Sequence, residues 1–177
     1  ELMIGTSTAA RKTAFAPNFM PLLPADTEFA AKWIDLCKAH EAEGIRDPVA
    51  AYEYMNHYYV TEGNKRVSVL KYFHDPVIMG TVTRILPPKD DSPESRLYYE
   101  YLDFYKVSGA NYLILSRPGD YNRLLGRIGK QPGEAWSDDD RLNFRAFYLR
   151  FQEAFYGLGG RKLPISAGDA MLVYLKI

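Results

Sequence analysis

The stretch Tyr58–Phe73, YYVTEGNKRVSVLKYF, decides how this chain is read. Its first residues are aromatic and β-branched, the composition of a strand. Beyond Glu62-Gly63-Asn64-Lys65-Arg66, Val67, Leu70 and Phe73 recur at helical spacing. A glycine, an amide and two adjacent cations therefore sit where a strand gives way to a helix. One reading is a helix start with a solvated first turn. The other is a phosphate-binding turn, because a helix N-terminus offers unpaired N–H groups and a preceding glycine admits close approach of an anion. Lys65 and Arg66 would add charge and bidentate hydrogen bonding to phosphate oxygens. Cations in a first turn oppose the helix dipole, so this arrangement costs helix stability unless an anion is present.

Working outward, PVAAYEYM (48–55) and YYVTEG (58–63) flank Asn56-His57 and predict a β-hairpin. PVIMGTVTRIL (76–86) alternates as a strand and ends at Pro87-Pro88. Before the hairpin, Asp26 or Thr27 caps a helix whose face carries Phe29, Trp33, Leu36, Cys37 and His40, and Gly44 ends it. Residues 1–26, with Pro17, Pro21 and Pro24, read as an irregular lead-in.

The second half reads as helical. Ser92 followed by Pro93 starts a helix through RLYYEYLDFYK (96–106). NYLILS (111–116) predicts a short buried strand, and PGDYNRLLGRI (118–128) a short helix capped near Asp120. Ser137 with Asp138, Asp139 and Asp140 is the clearest helix start, with Phe144, Phe147, Tyr148, Phe151 and Phe155 on its apolar face. ISAGDAMLVYLKI (165–177) is either a last helix capped by Ser166 or Asp169, or a strand. The expected architecture is α+β: a lead-in over 1–26, a core with a small mixed sheet over 27–88, and a helical extension over 89–177 packed on it.

Bulk composition narrows the function classes. A chain of 177 residues with 47% hydrophobic content has the size and core of an ordinary domain, or of a domain with an appended subdomain. Lys plus Arg and Asp plus Glu balance at 22 each, which argues against a protein living on nonspecific DNA contacts. The single cysteine, Cys37, excludes an internal disulfide and a cysteine-rich zinc site. No apolar run has membrane-spanning length, and ELMIGTSTAARKTAF lacks the core of a signal peptide, so the expected compartment is the cytoplasm. The chain starts without Met and stops abruptly at MLVYLKI, which predicts a piece of a longer protein.

Other chemistry-bearing residues have plainer readings. His40 fits a boundary histidine on a helix face, His57 and His74 fit solvated turns, and the three lack a metal-ligand spacing. Asp138–Asp140 compensate a helix dipole rather than cluster around a metal. Gly5–Lys12, GTSTAARK, reads as a leader, with a second anion-binding loop as the alternative. There is no Walker loop, no G-x-S-x-G and no H-E-x-x-H.

The segment EGIRDPVAAYEYMNHYYVTEGNKRVSVLKYF (43–73) resembles the ParB/sulfiredoxin superfamily, the resemblance extending over roughly residues 41–86. Gly44-Ile45-Arg46-Asp47-Pro48-Val49 is similar to the family's first box. Glu62-Gly63-Asn64-Lys65-Arg66 is similar to its second box, with Gly63 and Arg66 in register. The resemblance implies that Gly63, Asn64, Lys65 and Arg66 face the phosphates of a nucleotide carried with Mg²⁺. It implies that Arg46 and Asp47 lie near the same pocket, and that Glu62 holds the position of an acid used in phosphoryl transfer. Two departures bear on function. Asn64 stands where a sulfiredoxin needs cysteine, which argues against sulfinic acid reduction. Neither the third ParB motif nor a DNA-reading helix-turn-helix follows. The expected function is nucleotide (NTP or NDP) phosphate binding, with phosphotransfer through Glu62 as a possible extension. The alternatives are a noncatalytic regulatory or DNA-associated module of a longer chain, which places another domain among the expected partners, and, third, a nuclease.

Overall fold

A computed structural model describes residues 3–9, 12–75 and 77–176. The chain divides into two compact units, residues 1–87 and 88–177. Among the described residues it is a mixed α+β protein with a four-stranded mixed sheet and six α-helices.

The first unit holds the whole sheet. Strand β1 (Met3–Thr6) is followed by helix α1 (Glu28–Glu43), strands β2 (Val49–Tyr54) and β3 (His57–Glu62), helix α2 (Asn64–Tyr72) and strand β4 (Gly80–Arg84). Strand order is β1-β3-β2-β4: β2 and β3 are antiparallel, and β1 and β4 lie parallel to β3 and β2 respectively. The hairpin expected from sequence is present, with its turn one residue earlier, at Met55-Asn56. Both turn residues have positive φ, 52° and 63°. This is the requirement of a two-residue type I′ turn, which asparagine meets easily and methionine does not.

The lead-in is not wholly irregular. Met3–Thr6 extends along β3, and the hydroxyls of Thr6 and Thr8 donate to the carbonyls of Val60 and Thr61 at 3.1 and 3.2 Å. Four residues are too few to announce a strand by alternation. β3 supplies the missing partner.

Helix α1 starts at Thr27, whose hydroxyl accepts the Ala30 N–H at 3.2 Å. Its apolar face is half-buried against α2, where Trp33 Nε1 donates to the buried Ser68 hydroxyl at 2.8 Å. Helix α2 buries Val67, Ser68, Val69 and Leu70 in succession. Phe19, Val49, Val60 and Val67 form the centre of this core, with Met3 and Ile78 packed against it.

The second unit contains α3 (Pro93–Ser108), α4 (Asp120–Arg127), α5 (Asp138–Gly157) and α6 (Ala167–Tyr174). The hydroxyls of Ser92, Ser137 and Ser166 cap α3, α5 and α6, and Asp140 completes a capping box at α5. The C-terminal run, open between helix and strand in the sequence, is thus a helix started by Ser166. Helix α4 begins after left-handed Gly119 with no side-chain cap.

NYLILS buries Leu113 and Leu115 but is not a strand. Its backbone bonds go to side chains instead. Tyr121 Oη accepts the Leu115 N–H at 3.3 Å and donates to the Leu113 carbonyl at 3.2 Å. Ser166 Oγ donates to Ile114 O at 3.0 Å, and Asp169 Oδ1 accepts the Ser116 N–H at 3.0 Å. Buried backbone groups must be satisfied, yet a sheet is only one way to do it.

Candidate functional site

The joint between β3 and α2 is built on Gly63. Its φ of 89° and ψ of 22° are left-handed, and a Cβ there would stand 2.8 Å from Val49 Cγ1. Glycine is required on both counts. No side chain caps α2, unlike the helices that Thr27, Ser92, Ser137 and Ser166 start.

The five residues of the joint do not converge. Arg66 Nη1 donates to the Pro48 carbonyl at 2.6 Å, and its Nη2 stands 3.7 Å from Glu62 Oε1. The guanidinium is thereby fixed against the loop after α1. Lys65 turns the other way, its ammonium 4.5 Å above the Phe29 ring at the start of α1. Asn64 is buried, and its Oδ1 has no hydrogen-bond partner among the described residues. An acceptor repels phosphate oxygens, so the Oδ1 of Asn64 is not a phosphate ligand. Glu62 has a side chain 80% exposed.

Beside Arg66 lies a cleft of about 350 Å³ between the C-terminal half of α1 and the loop 44–48. Arg46, Asp47 and Glu43 line it with Arg66, while Gly63, Asn64 and Lys65 do not. The fold thus brings Arg66 of α2 to the adjacent pair Arg46 and Asp47 of the loop 44–48. Two arginines and two acidic residues line one opening. Phosphate with a bound Mg²⁺ suits such a mixture, since Mg²⁺ is commonly held by one or two carboxylates plus phosphate oxygens. Among the described residues, no group of three or more His, Cys, Asp or Glu is placed to hold a metal ion by itself.

His40 was not among the expected site residues, yet it shapes this cleft. Its Nδ1 accepts the Ile45 N–H at 3.3 Å, its Nε2 lies 3.3 Å from Asp75 Oδ2, and its ring packs 4.8 Å from Phe73. Since Nδ1 accepts, Nε2 carries the proton. Both nitrogens are engaged, which makes His40 a holder of the loop that carries Arg46. The signal in the sequence was its place one helical turn before Gly44, whose N–H donates to His40 O at 2.9 Å and ends α1.

Burial, with the neighbouring Glu41 carboxylate, raises the Cys37 thiol above its ordinary range, which opposes thiolate chemistry. Asp140 serves the capping box, and Asp138 lies 3.4 Å from Arg141. In the Gly5–Lys12 segment the hydroxyls of Thr6 and Thr8 are spent on β3 carbonyls, and Ala10 and Arg11 lie outside the described residues. No helix among the described residues is long and apolar enough to cross a membrane. Compared with family models, curated proteins and solved structures, the chain matches none.

Proposed function

We propose that the cleft between α1, the loop 44–48 and the start of α2 binds the phosphates of a nucleotide carried with Mg²⁺. In this reading the segment over residues 41–86 is a ParB/sulfiredoxin-like core. The observation that carries the proposal is a guanidinium, Arg66, held against the Pro48 carbonyl at the rim of a cleft that Arg46 also lines. A pre-oriented guanidinium loses little freedom when it meets a phosphate. Arg46 is exposed and supplies the second charge. Asp47 and Glu43 take the metal side of the ligand.

Binding, rather than phosphoryl transfer, is the function proposed. Glu62 is largely exposed and faces Arg66 from outside the lining of the cleft. A general base needs to be held within hydrogen-bond reach of its substrate, and nothing fixes Glu62 there.

Titration calorimetry with ATP, ADP, CTP and GTP, each with and without Mg²⁺, tests the reading. Arg46→Ala is the informative variant because its side chain is exposed. Replacing Arg66 also frees the Pro48 carbonyl and loosens the loop, so Arg66 is unsuited to a clean test. Removing one charge-assisted contact is expected to weaken binding by about 10- to 100-fold, while Lys65→Ala, on the Phe29 side, changes it little. Absence of saturable binding by any of the four nucleotides, or binding indifferent to Arg46→Ala, overturns the proposal.

A further inference from the structure

Strand β4 is one margin of the sheet, and its ladder leaves a definite set of backbone groups on the outside. Val49 N–H donates to Met79 O at 2.9 Å, and Ile85 N–H donates to Glu53 O at 2.8 Å. Register pairs Val49 with Gly80, Ala51 with Val82 and Glu53 with Arg84. Along a strand the two backbone groups of a residue point to one side and those of the next residue to the other. Thr81 and Thr83 therefore turn theirs toward β2, and Gly80 and Val82 turn theirs outward. Gly80, Thr81, Val82 and Thr83 are all exposed. So are large apolar side chains along the same margin: Met79 at 68%, Val82 at 46%, Ile85 at 44% and Leu86 at 58%.

An uncovered apolar margin is a template for another strand, and proteins ordinarily blunt it with charge, proline or a bulge. Here Pro87-Pro88 limit its length, but Gly80–Thr83 carry no charge, proline or bulge. About Val82 the sequence is partly symmetric, with Gly80 against Arg84 as the break nearest the centre. Thr81 mirrors Thr83, Met79 mirrors Ile85, and Ile78 mirrors Leu86.

We infer that β4 pairs with β4 of a second copy of this chain, antiparallel, about a two-fold axis at Val82. Val82 then faces its own counterpart and exchanges two backbone hydrogen bonds with it. Thr81 faces Thr83 of the second copy and Met79 faces Ile85, hydroxyl against hydroxyl and apolar against apolar. Arg84 is the single charge between Val77 and Leu86, and the axis sets it opposite Gly80 of the second copy, not opposite itself. Charge repulsion is thus absent from the seam, and Arg84 keeps its partner Glu53 within its own sheet. The alternative of β4 against β1 of the next copy is head-to-tail and produces a ring or an open filament rather than a two-fold pair. A seam this short falls below the roughly 1,200 Å² at which standard interfaces begin. The dimer therefore assembles with concentration and is not permanent.

Sedimentation velocity of the full chain over a wide concentration range tests this, with Val82→Lys placing a charge at the seam where it touches no ladder bond to β2. The expected result is a monomer–dimer equilibrium that Val82→Lys shifts to monomer, with circular dichroism unchanged. Oxidative cross-linking in a Cys37→Ser background adds geometry. Residues directly opposite in a hydrogen-bonded pair lie about 5.5 Å apart at Cα, within disulfide reach. Val82→Cys is expected to link covalently to its counterpart. Thr83→Cys, displaced diagonally by roughly 7–8 Å, is expected not to. A chain that stays monomeric at all concentrations, open polymers, a dimer insensitive to Val82→Lys, or equal cross-linking at positions 82 and 83 overturns the inference.

Discussion

Glu53, wholly buried on β2, holds Arg84 of the neighbouring β4 through Oε2 and accepts the Asn56 N–H through Oε1 at 2.7 Å. One carboxylate thus ties the hairpin turn to the sheet margin. It also explains how Met55-Asn56 keeps a left-handed turn that methionine disfavours. The turn and the margin are held by the same group.

Arg84→Met is expected to destabilise the first unit by about 3 kcal/mol, because it leaves a buried carboxylate without its counter-charge. Glu53→Leu combined with Arg84→Met is expected to cost less than Arg84→Met alone, since the buried carboxylate goes with its counter-charge. Urea denaturation followed by circular dichroism checks both. A double variant as unstable as the sum of the two single changes contradicts the assignment.

Tyr121→Phe is expected to cost about 1–3 kcal/mol, leaving the Leu115 N–H and the Leu113 carbonyl buried without their hydroxyl partner. Tyr121 and Leu113 are almost wholly buried, and burial drives the Tyr121 phenol well above its ordinary range, so it stays a neutral donor. The unfolding midpoint reports the loss, and faster amide exchange at Leu115 locates it. An unchanged midpoint would show that water takes the place of the hydroxyl.

Acid should reach the α5 cap late. Hydrogen bonds from Lys130, first, and from Ser137 hold the Asp140 carboxyl down at about 2. An aspartate in an unfolded chain titrates near 3.9. A carboxyl with a depressed folded-state pKa contributes stability that is fully present above the unfolded value and is lost as pH falls through the folded one. The stability gap between the natural chain and Asp140→Asn is therefore expected to be constant from neutral pH down to about 4 and to close by about pH 2. Thermal melts of both proteins across that range measure it, and a gap that closes already above pH 5 refutes it.

The sequence by itself determined the α+β class, the strand–glycine–helix joint and the helix starts at Ser92 and Ser137, and it narrowed the start of α1 to Asp26 or Thr27. Each of these rests on signals within one turn of chain: a capping hydroxyl with its N–H three residues on, or an apolar period along one face. Tertiary structure alone decided the rest. β1 became a strand because β3 lies beside it, and 111–116 did not because Tyr121, Ser166 and Asp169 bond its backbone first. Lys65 and Arg66 are neighbours with identical charge, and the sequence read them as one pair. In the fold Phe29 draws one aside and Pro48 fixes the other. The partners that separate them lie in other segments of the chain, and only folding brings those segments within hydrogen-bonding and ring-contact distance.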